Sequence, residues 1–152
     1  MDEAIKILRE QAILCSRLTE LLDKLTDALK NNSLETAEVV KKIDPLVIDL
    51  SKNSSKSQEF LQTTNFKNFG EFITAAEEGI HKDVAERLLN QVINLQAKLI
   101  QSMQVASRLL ANGKDFVNFN LNVLSQTSAS PTYGSEAKTR TNSDRRIFDA
   151  NV

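Results

Sequence analysis

Residues 88–124 read LLNQVINLQAKLIQSMQVASRLLANGKDFVNFNLNVL. One apolar line holds through the stretch: Leu88, Val92, Leu95, Leu99, Met103, Ala106, Leu110, Gly113, Val117, Leu121 and Leu124. Steps of three and four keep side chains on one side of an α-helix, and a long run of them is a packing seam with coiled-coil character. The spacing predicts a helix from about His81 or Asp83 to Ser125. At about 1.5 Å per residue it would be about 60 Å long, with Gly113 as a place to bend.

Steps of about 100° per residue reveal a second feature. The first half of this helix adds Leu89, Ile93 and Ile100 on one flank of the seam. The second half adds Val105, Leu109, Phe116, Phe119 and Val123 on the other. The apolar surface changes sides near Met103. Either the neighbouring helices cross there, or the C-terminal half offers a groove to something else. Asn112 and Asn120 fall inside the second apolar arc, where a buried amide needs a partner and fixes register or meets another backbone.

The seam needs other helices to pack on, and the N-terminal half supplies them. Ile7, Leu14, Leu18, Leu21 and Leu25 keep helical spacing, widened by Leu8, Cys15, Leu22 and Leu29, so a first helix is predicted over Asp2–Lys30. At about 40 Å it would be outrun by the last helix. Asn31-Asn32 stops it, and Ser33 is a ready N-cap for a second helix over about Leu34–Leu61. Pro45 lies inside that pattern and predicts a kink or break near Asp44. SKNSSKS, 51–57, is its weakest stretch. Residues 63–79 read as a connector with a short helix, in which Phe66, Phe69, Phe72 and Ile73 plug the end of a bundle.

The fold class that follows is all-α: an elongated antiparallel bundle of three long helices plus a short connector helix. Residues 1–126 form the helical domain and 127–152 a flexible C-terminal tail, Ser/Thr-rich and with little to bury. Tyr133 and Phe148 stand out in that tail as the aromatic anchors of a short linear motif or as accidents of composition.

Composition narrows function by exclusion. Nineteen basic against 20 acidic residues give no reason to expect nucleic acid. No apolar run approaches the roughly 18 residues that span a bilayer, and MDEAIKILREQ has no apolar core of a signal peptide. A cytoplasmic protein is expected. Cys15 alone makes no internal disulfide and reads as a buried thiol. His81 reads as a surface or capping residue. With no phosphate loop, metal-spaced Cys/His set or nucleophile elbow, neither an enzyme nor a cofactor is expected.

The long helix with N-G-K-D-F-V-N-F-N-L-N-V-L (112–124), then P-T-Y-G (131–134) and a terminal R-I-F-D-A-N-V (146–152), resembles FlgN-type flagellar export chaperones. The resemblance implies a protein that binds the C-terminal amphipathic helices of the hook–filament junction proteins FlgK and FlgL before their secretion, then delivers them to the export gate protein FlhA. It assigns Tyr133 and Gly134 to gate docking. It also gives the second flank a ligand, with Val105, Leu109, Asn112, Phe116, Phe119, Asn120 and Val123 lying against the cargo helix. A bundle that assembles with itself along the same flank, as a homo-oligomer, is the competing reading. A chaperone for another flagellar substrate is the third.

Overall fold

The computed structural model describes residues 1–31 and 33–110. Within them the chain forms α1 (Asp2–Lys30), α2 (Thr36–Thr64), the short α3 (Phe69–Thr74) and α4 (Ile80–Leu109). α1 is the central element and packs closely on both α4 and α2. The first half of α1 shares a core with the first half of α4 and the end of α2, and its second half with the second half of α4 and the start of α2. α1 and α4 are therefore parallel and α2 runs antiparallel to both, an up-down-up bundle.

α1 has the predicted bounds. Asp2 and Glu3 face its positive end and Lys30 its negative end, which favours helix at both termini. Ile7, Leu8, Leu14, Cys15, Leu18, Leu22 and Leu25 are buried, while Leu21 and Leu29 are half-buried at the edge of the core.

The second helix departs from expectation at both ends. Leu34 is 98% exposed and lies in the turn, and the helix begins at Thr36 with no side-chain cap. The Ser33 hydroxyl accepts instead from the Glu35 N–H at 3.2 Å, closing a local turn rather than capping the helix. The break expected at Pro45 does not occur, since α2 is unbroken from Thr36 to Thr64. Pro45 is solvent-exposed, so water can serve the carbonyl that its missing N–H leaves unpaired. The helix runs three residues past Leu61 and ends on Asn65, whose φ of 61° is a left-handed conformation that Asn tolerates.

The connector forms the aromatic plug. Asn68 caps α3 by accepting from the Glu71 N–H at 2.9 Å. Phe60 stacks on Phe69 with centroids 5.6 Å apart, and Phe72 meets Phe60 and Phe66 edge-on at 5.0 and 5.5 Å. Phe69 and Ile73 are buried there. Lys82 of α4 ties the connector down, its ammonium donating to the Glu78 carboxylate at 2.6 Å and to the main-chain oxygens of Ala76 and Thr74 at 3.3 and 3.5 Å.

The largest correction concerns the last helix. α4 starts where expected but ends at Leu109, and Leu110 is extended, with φ −99° and ψ 131°. Among the described residues it holds 30 residues against 29 in α1, so over that span the two are about equally long. Leu110 packs against the apolar cluster shared by the second half of α1, the first half of α2 and the second half of α4. The remainder of the expected helix, 111–125, lies outside the described residues.

Candidate functional site

The two flanks of the last helix meet different fates. Leu89 is buried and Ile93 and Ile100 are half-buried against the core, so the first flank is covered. On the second, Val105 is 37% and Leu109 42% exposed, two of seven large apolar side chains open to solvent among the described residues. Asn112, Phe116, Phe119, Asn120 and Val123 lie outside the described residues, as do Tyr133 and Gly134.

Val105 forms one wall of an open groove of about 330 Å³ between α1 and α4, with Lys98, Gln101 and Ser102 beside it and Thr19, Asp23 and Thr26 opposite. The parallel pairing of the two helices creates this groove. Thr19, Asp23 and Thr26 are spaced i, i+4, i+7 and so share one edge of α1. Ser102 donates from its hydroxyl to the Asp23 carboxylate at 2.7 Å, which bridges the groove floor. Thr19 donates to the Cys15 carbonyl at 2.7 Å. The Thr26 hydroxyl is buried without a hydrogen-bond partner. The groove thus joins an apolar lip at Val105 to a polar floor, and Leu109 follows Val105 one turn along α4. Its polar side chains were not singled out in the sequence, although their spacing on one edge of α1 was a usable signal.

Burial pushes the Cys15 thiol up to about 12, so it stays protonated and is a poor nucleophile. His81 is exposed at the start of α4, 3.2 Å from the Asp2 carboxylate. Among the described residues no group of three His, Cys, Asp or Glu side chains is placed to hold a metal, and no helix is long and apolar enough to cross a membrane.

A second polar feature lies inside the bundle. Gln11, Asn53, Ser54 and Ser57 are buried between the two apolar clusters. Asn53 Nδ2 donates to the Ile7 carbonyl at 3.2 Å and to Glu10 Oε2 at 3.4 Å, but its Oδ1 has no partner, nor has Gln11 Nε2. Each such orphan costs about 1–3 kcal/mol.

The family model described as FlgN protein matches residues 1–141. That span takes in all four helices and reaches past Tyr133 and Gly134, while the terminal R-I-F-D-A-N-V lies beyond it. Comparison with curated proteins and with solved structures gave no match.

Proposed function

This chain belongs to the FlgN family of flagellar export chaperones, and from that premise we propose that its cargo is the hook–filament junction proteins FlgK and FlgL. It would hold their C-terminal amphipathic helices in the cytoplasm, prevent premature assembly and pass them to the export gate protein FlhA. The observation that carries the cargo site is the uncovered flank of α4: Val105 and Leu109 stand exposed in a bundle whose other flank is buried. An amphipathic helix laid along it would bury both. Asn112, Phe116, Phe119, Asn120 and Val123 are the further cargo contacts that the sequence spacing offers. Tyr133 and Gly134 would remain free for the gate. Moderate affinity suits a carrier that must release its cargo.

Calorimetric titration with the C-terminal segments of FlgK and FlgL tests this, repeated with a chain ending near Ser128. Binding that survives removal of the tail supports the assignment. A full-length chain that binds neither segment overturns it, and a stable oligomer by light scattering would then favour self-association along the same flank.

A further inference from the structure

The core of this bundle is interrupted halfway along. Ile43, Val47 and Leu50 of α2 belong to one apolar cluster and Leu61 to the other, while the buried face between them is Asn53, Ser54 and Ser57. Asn53 is only partly satisfied, and Gln11 Nε2 on the facing helix is orphaned. A partly satisfied polar layer weakens a core where it sits. The local chain agrees: residues 51–57 are Ser, Asn and Lys, of which Ser and Asn are modest helix formers, and Pro45 removes one backbone bond from the half before them. The half after them is held differently, with Phe60 and Leu61 in the aromatic plug.

We propose that the N-terminal half of α2, from Thr36 to Leu50, is a removable cover that hinges at the polar layer while α1 and α4 stay paired. The surface it bares, where Leu18 and Leu25 of α1 meet Leu99 and Met103 of α4, takes an amphipathic helix from a partner protein. The occupant follows from the slot itself, which already holds one amphipathic helix. A partner helix with apolar side chains where α2 has Ile43, Val47 and Leu50 buries that same surface. Against it α2 has the advantage of its tether, a high effective concentration. The slot lies at the same end of the bundle as Val105 and Leu109. The identity of the partner rests on the cargo assignment above; the opening of α2 does not.

Native-state hydrogen exchange on the full chain tests the opening without any partner. Amides of Val40–Leu50 should exchange about tenfold or more faster than those of Leu14–Leu25 and Val92–Met103, with Leu61 remaining protected. Equal protection in all three helices overturns the proposal. Pro45→Ala, at an exposed position, should slow exchange in Val40–Leu50 by about tenfold or more. The double variant Gln11→Leu/Asn53→Leu should do so independently. The apparent Kd for the FlgK and FlgL segments should rise by the same factor as the opening falls. Slower exchange with unchanged affinity would show that the partner does not enter beneath α2 and would overturn that half. A wild-type chain that binds neither segment overturns the cargo assignment and the partner given to this slot, and exchange alone then decides the opening.

Discussion

Asn53 of α2 donates from Nδ2 to the main-chain oxygen of Ile7 in α1 at 3.2 Å, across 46 residues of sequence. The bond pins the register of α2 on α1 at the middle of the bundle. Its neighbour Lys56 pairs with Glu10 at 3.1 Å on the exposed rim, where an ion pair contributes little. Asn53→Ala should therefore cost about 1 kcal/mol in urea unfolding. Asn53→Asp should cost about 3 kcal/mol or more, because it buries a carboxylate facing the Ile7 carbonyl and Glu10. Equal midpoints for the two variants would show that position 53 is not enclosed.

Phe69 is 1% exposed at the centre of the plug. Phe69→Ala should destabilise the bundle by about 3–5 kcal/mol. Phe66→Ala, at a half-buried edge of the same group, should cost clearly less. Thermal melts that rank the two the other way would displace the core of the plug.

Cys15 supplies a pH signature. Burial raises its thiol from an ordinary 9.0 to about 12, so between those values the folded state keeps a proton that the unfolded state has lost. Stability is unaffected below about pH 9 and falls above it, by up to about 1.4 kcal/mol per pH unit. Denaturant midpoints from pH 7 to 10.5 check the sign. At pH 8 a thiol reagent should label Cys15 only as fast as the bundle opens, and immediate labelling would refute its burial.

Lys82 holds the connector to α4 through Glu78 and two carbonyls. The hydrogen bond to Glu78, foremost, raises its pKa, so the clamp persists below the ordinary lysine range and is lost as pH rises through the raised value. Lys82→Met keeps the stem and removes the donors. It should speed proteolysis within residues 74–79 while leaving far-UV circular dichroism unchanged. Unaltered cleavage would show that the clamp does not restrain the connector.

Val105 and Leu109 are exposed, so Val105→Ser with Leu109→Ser should change stability by less than about 1 kcal/mol. If the flank receives cargo, affinity for the FlgK and FlgL segments should fall about tenfold or more. Loss of fold instead would place both residues in the core.

Much of the fold was legible because local rules govern it. The period of leucines in α1 places that helix to the residue, and the run of Phe66, Phe69 and Phe72 marks a plug. Pro45 misled, since its penalty depends on whether the freed carbonyl meets water or protein. Ser33 misled because a hydroxyl near a helix start can bond two residues on or three. Of the site, the exposed lip Val105 and Leu109 was visible as an off-seam flank. The groove floor was not, because Thr19 and Ser102 become neighbours only when α1 and α4 lie parallel.

By itself the amino-acid sequence determined that this protein is a bundle of long amphipathic helices with an aromatic end, because turn periodicity and side-chain polarity are properties of neighbouring residues. Tertiary structure alone decided where the last helix stops, which flank is covered and that Gln11 and Asn53 share a buried layer. Those outcomes depend on whether another surface is present at that height to take an apolar stripe or satisfy an amide, and no single helix carries that information.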